Sequence, residues 1–323
     1  MKNLICKNCG GSMVLDPSAR TARCHYCGAT YLLDHQDTDY FLDFYRQMER
    51  FLSGGQDETA RRINAEAIWN NADSTRFTSV DNQIIDVRHL HTYRSPYCDA
   101  YVARSNIIFH FHQNLRSDAE VYSRMVSSLD YPSADVRNLS DFFPRITGGF
   151  RLADGTHLLV ISKTEDEYPL RLFGTLSARH VAWIISRLEN LCCVLEFSGL
   201  VHPGISPDTV FIDPYTHQAS LYGGWWEACK VNTLRPGGKM ARSFDSLMGL
   251  RQTAAAMLGF PQLSDVRYRP DVPKPMIDFL TSIPKDTAYE DFALWDKTLI
   301  AAFGERKFIQ MDTDDGQIYR KRV

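Results

Sequence analysis

The sequence predicts an α+β fold built in parts: a small metal-binding β module, a helical linker, and a larger body in which strands come first and helices follow. Three observations carry this. Four of the eight cysteines fall within residues 6–27 as two CxxC pairs. Aromatic residues then recur at helical spacing between 40 and 52. Beyond them, strand-like runs give way to one long apolar helix near 177–197. At 323 residues, 44% hydrophobic and 23% charged, the chain has room for a sizeable core or for two or three domains. A net charge of -3 argues against coating nucleic acid or an anionic membrane by bulk electrostatics, which leaves only local patches for such binding.

The first element is set by the cysteines. CKNC at 6–9 and CHYC at 24–27 are separated by fourteen residues. Two residues between thiols let both sulfurs of one tight turn reach a single ion, and two such turns complete the tetrahedral thiolate shell that Zn²⁺ prefers. Gly10 and Gly28 each follow a pair, where the chain bends. Met13 to Leu15, Thr21 to Arg23 and Thr30 to Leu33 are the expected strands, with Pro17 and Ser18 in the turn. The pattern resembles a zinc ribbon over residues 1–34, with Cys6, Cys9, Cys24 and Cys27 as ligands of one structural Zn²⁺ and His25 a bystander. A redox dithiol is the competing reading. Four thiolates leave no open position for water, so the ion is expected to be structural and not catalytic. Ribbons of this kind bind protein or nucleic acid, and the surface candidates for a partner are Lys7, Arg20, Arg23 and Tyr26.

A linker of helices is expected over 35–74. Tyr40, Phe41, Phe44, Tyr45, Met48, Phe51 and Leu52 form an apolar stripe ended by Gly54-Gly55, and a second helix runs from about Glu58 to Asn70 with Ala60, Ile63, Ala65, Ala67 and Ile68. The run from Val181 to Val201 is interrupted by Arg187, Glu189, Asn190 and Glu196, so it is expected in a core and not in a bilayer. No export signal precedes the first cysteine pair. Cys98, Cys192, Cys193 and Cys229 are therefore expected as reduced thiols of a cytoplasmic protein.

The larger body places strands at about 84–112, a helix at 117–129, two strands at 143–163 and the long helix at 177–197. LVHPGISPDTVFID at 200–213 follows, then ASLYGGWW at 219–226. The first piece resembles the catalytic loop of protein kinases, in which HRD precedes Pro-Glu-Asn or Pro-Asp-Asn and an apolar strand. His202, Pro207, Asp208 and Val210 to Ile212 fall at matching positions, and the second piece falls where the magnesium-binding DFG would lie. ARSFDSLMGLRQTAAAMLG at 241–259 resembles the buried helix after the activation segment, with Asp245 at its acid and Gly259 at its end. IIFHFH at 107–112 resembles the strand bearing the kinase lysine. The resemblance spans about 75–305 and implies a two-lobed kinase-like domain, with an N-lobe at 75–175 and a helical C-lobe at 176–323.

The departures from that family decide the expected function. Phosphoryl transfer needs a carboxylate at the substrate hydroxyl, metal ligands across the phosphates and a lysine on them. The resemblance puts Gly204 at the catalytic Asp, Thr209 at the magnesium-binding Asn, Gly223 at the DFG Asp and His110 at the lysine. No glycine occurs between Gly55 and Gly148, so a glycine-rich phosphate loop is missing, and Tyr97 to Tyr101 would crowd its place. The expectation is a pseudokinase that binds a protein partner, with nucleotide binding doubtful. His202 and Asp208 are expected to be structural, Asp208 by capping its own loop. Trp225 and Trp226 divide between core and partner surface, and Arg235, Lys239 and Arg242 form a short basic loop. Two alternatives stay open: an atypical phosphoryl- or nucleotidyl-transferase using Asp208 or Asp213 as a metal ligand, and a nucleic-acid binder led by the ribbon.

Overall fold

A computed structural model describes residues 13–16, 21–24, 27, 30–32 and 59–319, apart from 113–115, 133–136, 236–237, 306–308, 310 and 312. The chain divides into two units, Met1–Glu66 and Ala67–Val323.

In the first unit, β1 (Met13–Asp16), β2 (Thr21–Cys24) and β3 (Thr30–Leu32) form an antiparallel sheet in the order β1-β2-β3. Met13 faces Cys24, and Thr21 lies between Asp16 and Leu32. The strands fall where the turn and glycine signals put them. The aromatic stripe at 40–52 lies outside the described residues, and α1 spans 59–70. Ile63 on α1 is 65% exposed, so the apolar spacing there does not build a buried face. Alanines supply most of that stripe and bring little area to bury.

In the second unit, β4 (Asp73–Thr78) and β5 (Ile84–His89) make a hairpin. Five strands then form an antiparallel sheet in the order β6-β7-β8-β10-β9: β6 (His91–Arg94), β7 (Cys98–Val102), β8 (Asn106–Phe111), β9 (Arg145–Arg151) and β10 (His157–Ser162). Side chains alternate across a strand. Ile107, Phe109 and Phe111 therefore join the main core, while Ile108 joins a smaller cluster with Val87 and Leu158 that Phe77 and Trp69 cover. Helix α2 (Arg116–Val126) connects β8 to β9 and buries Ala119, Tyr122 and Met125 in the main core.

After β11 (Tyr168–Pro169) and a 3₁₀ turn at Leu170–Phe173, the chain turns helical. Ser177 caps α3 (Ala178–Phe197) by accepting from the His180 amide, and ten apolar residues of the helix from Val181 to Leu195 are buried, with Cys193 partly buried among them. Short strands β12 (Leu200–Val201), β13 (Val210–Asp213), β14 (Gln218–Leu221) and β15 (Cys229–Lys230) carry the two motif segments. Helices α4 (Ser243–Met257), α5 (Lys274–Thr281), α6 (Ala288–Phe303) and α7 (Asp315–Tyr319) complete the unit. Gly259, left-handed at φ +86°, lets the chain leave α4. Arg251 and Asp291 form a wholly buried ion pair at 2.8 Å between α4 and α6, with the guanidinium over the Phe279 ring. No helix among the described residues is long and apolar enough to cross a membrane.

Candidate functional site

The site is built where the turn between β12 and β13 meets the turn after β14. Thr209 closes the first turn: its hydroxyl accepts from the Ser206 amide at 2.9 Å and lies 2.7 Å from the Gly204 carbonyl, to which it donates. Its own carbonyl accepts from the amides of Tyr222 and Gly223 and so ties the second turn to the first. Thr209 is 7% exposed and is fully engaged in holding backbone.

His202 is fully buried and lies at the crossing. Its amide donates to the Ser246 hydroxyl of α4 at 2.8 Å, and its Nε2 donates to the Gly223 carbonyl at 3.1 Å. The Trp225 ring packs edge-on against it, 4.9 Å between centroids. Burial pushes its pKa down to about 4, so the imidazole is neutral. Nδ1 has no partner and is sealed from solvent. A ring held this way supports the loop and has no access to a substrate proton.

Three glycines fit at the crossing because they lack a side chain. A Cβ on Gly223 would lie 3.0 Å from both the Cα and Cγ2 of Thr209. On Gly224, where φ is +79°, it would meet His202 Cε1 at 2.7 Å and the Gly204 carbonyl at 2.9 Å. On Gly204 it would meet Glu227 Oε2 at 2.9 Å, the free end of a flexible chain, and Gly224 at 3.3 Å. Backbone obstructs the first two positions and a movable carboxylate the third. An aspartate at 223 would require Thr209, in the turn before β13, to give by a few tenths of an ångström.

Above the crossing, aromatic rings fill the floor of the cleft. Trp226 is 8% exposed and packs on Phe109 at 5.5 Å, Tyr97 at 5.8 Å, Phe111 at 5.9 Å and Tyr122 at 6.2 Å. Tyr122 donates to the Tyr222 carbonyl at 2.5 Å, and Tyr97 to Glu227 at 3.2 Å. Trp225 is wholly buried beside Phe143. Both tryptophans are interior, so neither offers the partner surface expected of one of them. His110 also departs from expectation. It lies on the far face of β8, against Phe77 at 4.9 Å and within hydrogen-bond distance of Thr156 at 2.8 Å. Strand alternation gives the cleft-facing positions to Phe109 and Phe111, one residue either side. Burial lowers the His110 pKa, which leaves it neutral away from the cleft. Tyr101 likewise faces the outer hairpin, packing on Phe77 and His89.

The carboxylates of the loop have other partners. Asp208 receives both prongs of the Arg171 guanidinium, and the Arg171 amide donates to the Pro207 carbonyl, so the loop is held from outside instead of by Asp208 on its own amides. Asp213 caps the β13–β14 turn by accepting from Tyr215 and Thr216. Asp245 caps α4 through the Arg242 amide and pairs with Arg235 at 3.2 Å, which neutralises part of the expected basic loop. At the cleft mouth, Arg171, His91 and Tyr319 line a cavity of about 690 Å³. Sequence reasoning missed Phe109, Phe111, Tyr122 and Glu227. Period-two alternation in 107–111 was the available signal for the phenylalanines, whereas nothing local marks Glu227.

Of the expected zinc ligands, Cys24 ends β2 at 2% exposure and Cys27 lies exposed in the following turn. Cys6 and Cys9 lie outside the described residues, as do Lys7, Arg20 and Tyr26; Arg23 is placed in β2 by its backbone alone.

No protein-family model matches the sequence, and no curated protein does. Solved kinase structures resemble it. The structure of vaccinia related kinase 3 is similar over 70% of this chain and 91% of that chain, at 13% identity and a TM-score of 0.51. The ROP18 kinase domain in complex with AMP-PNP and sucrose covers 80% and 93%, at 13% identity and a TM-score of 0.47. A rhoptry antigen kinase domain of Toxoplasma gondii covers 72% and 87%, at 8% identity and a TM-score of 0.48. Together with the sheet order, the similarity to vaccinia related kinase 3 shows that this chain has a protein-kinase-like fold.

Proposed function

We propose that this protein is a zinc-ribbon pseudokinase of the cytoplasm: a kinase-like domain without phosphoryl-transfer chemistry that serves as a scaffold or regulator by binding a protein partner. The observation that carries the reading is the close approach at Gly223 and Gly224, where a single added Cβ meets backbone or His202 within 3.0 Å. A metal-binding carboxylate at 223 would press on Thr209, which would have to give by a few tenths of an ångström. The aromatic floor supports the same reading, because transferred phosphates need donors and cations where Phe109, Phe111 and Trp226 lie. Millimolar ATP with Mg²⁺ or Mn²⁺ is expected to leave the melting temperature unchanged, since only a ligand that binds the native state raises it. A clear rise, with label passing from the γ-phosphate to protein, overturns the proposal.

One observation favours the transferase reading instead. Glu227 brings a carboxylate to within 2.9 Å of the place a Gly204 side chain would begin. Were it a replacement base, transfer would be measurable and would vanish in Glu227→Gln.

For the ribbon, the proposed ligands of one structural Zn²⁺ are Cys6, Cys9, Cys24 and Cys27. The three-stranded sheet around Cys24 and a donor set of four thiolates suit that ion. Chelation is expected to release one zinc per chain and unfold residues 1–34 while the melting of the larger unit stays unchanged. A chain purified with no zinc and an unaltered ribbon would remove this part. Binding of nucleic acid by the ribbon would instead appear as affinity falling steeply with salt.

A further inference from the structure

The outer face of α2 holds a second site, away from the cleft. Glu120, Ser123, Arg124 and Ser127 recur at the spacing that places them on one helix face. Across from them, Arg151 ends β9 and His157 opens β10, directly opposite each other in the ladder. These six residues line an open pocket of about 450 Å³. Its charge is unbalanced: two guanidiniums and an imidazole face one carboxylate.

Seven arginines of the unit are held by carboxylates. Arg76, Arg94, Arg104, Arg171, Arg235, Arg251 and Arg269 each pair with a carboxylate. Among the described residues, Arg124 and Arg151 make no ion pair and converge on one cavity. A planar fork of donors matches the oxygens of a phosphoryl group, and two forks can share its three terminal oxygens with hydroxyl and imidazole donors. A carboxylate ligand has only two oxygens and would leave part of that set unused. Glu120 at the rim disfavours a longer polyanion, so the fit is to one phosphoryl group. Ser123 already donates to the Ala119 carbonyl at 3.0 Å, which leaves Ser127 as the helix hydroxyl able to donate.

We infer that the groove between α2 and the β9–β10 turn binds a single phosphomonoester group, through Arg124 and Arg151. The site does not depend on the state of the cleft.

The test uses the full chain labelled with ¹⁵N and follows the arginine Nε–H resonances. O-phospho-L-serine is expected to shift the Arg124 and Arg151 signals saturably in the millimolar range, and L-serine at matched ionic strength is expected to leave them in place. Arg124→Gln and Arg151→Gln should each weaken binding about tenfold, the loss of one charge-assisted contact, whereas Arg88→Gln, outside the pocket, should not. Arg124→Lys and Arg151→Lys keep the charge without the fork and should fall between. These lysine variants also serve if a glutamine variant melts early. Two further arms separate sources: a phosphoserine flanked by glycines that binds more tightly than inorganic phosphate indicates a phosphorylated side chain, and equal binding indicates a small phosphate ester. Shifts that never saturate and follow ionic strength overturn the inference, as does binding that survives in the double Arg124→Gln, Arg151→Gln variant.

Discussion

The cleft floor and the helical layer handle charge in opposite ways. At the floor, Gly204, Gly223, Phe109, Phe111 and Trp226 supply bare backbone and rings, the buried His202 is held neutral, and Glu227 stands at the edge. In the helical layer, Arg251, Asp291 and Glu189 are all fully buried. Burial, with Asp291 beside it, pushes the Glu189 carboxyl well above the ordinary carboxylate range. The contrast teaches that rings and bare backbone meet at the crossing of the two turns, whereas paired charge fixes how the helices meet.

Five substitutions break or sharpen the comparison, from the largest effect down. Arg251→Leu leaves Asp291 buried without its counter-charge, and the second unit is expected to lose about 3–5 kcal/mol in urea unfolding. An effect below ~1 kcal/mol would mean the helices are held by apolar packing alone. At the floor, Trp226→Ala opens a cavity among four rings and should cost about 3–4 kcal/mol by the same measurement, offset in part because Trp226 Nε1 is buried without a partner. That variant is also the one in which nucleotide binding is expected if the rings alone exclude it. Gly224→Ala, at φ +79° and against His202 and Gly204, should cost about 2–3 kcal/mol. If it were silent, the crossing would be looser than its contacts indicate.

The smallest effects are in pH dependence, and their signs differ between the two regions. The folded pKa of His202 is depressed to about 4, so its contribution is present above the unfolded value near 6.5 and is lost as pH falls between the two. Stability should decline there by up to about 1.4 kcal/mol per pH unit, and His202→Gln should flatten the decline. Glu189 has the opposite sign, because an acid with a raised folded pKa stabilises below its unfolded value and loses that contribution as pH rises past it. Glu189→Gln, neutral at every pH, is expected to remove that pH dependence and to raise the melting point at neutral pH. A drop instead would show that the carboxylate serves Arg251 as a second counter-charge.

Much of the frame was legible before any coordinates. Ser177 to Phe197 as a buried helix and the strands around Pro17 rest on local signals, periodicity and turn residues, whereas the glycine ending α4 and the turn from His202 to Thr209 were placed by the resemblance to protein kinases. The site was legible as a list of positions but not as an arrangement. His110 was read one residue away from the cleft face, because in a strand a shift of one residue reverses the side chain, and Ile108 makes the face that carries Asn106 and His110 partly apolar as well. One of Trp225 and Trp226 was expected at a partner surface, but Phe109 and Tyr122, distant in sequence, close over Trp226. The contact of Tyr97 with Glu227 spans 130 residues and has no local sign.

The sequence by itself determined the two cysteine pairs and the helical and extended segments, since these depend on residue type and short-range spacing, and it put Gly204 and Gly223 where the kinase resemblance expects acids. Only the tertiary structure decided that a Cβ at Gly223 would press on Thr209 and one at Gly224 on His202, that Asp208 belongs to Arg171, and that rings occupy the cleft floor. Those outcomes depend on which distant surfaces meet, and a one-dimensional pattern carries no distance between them.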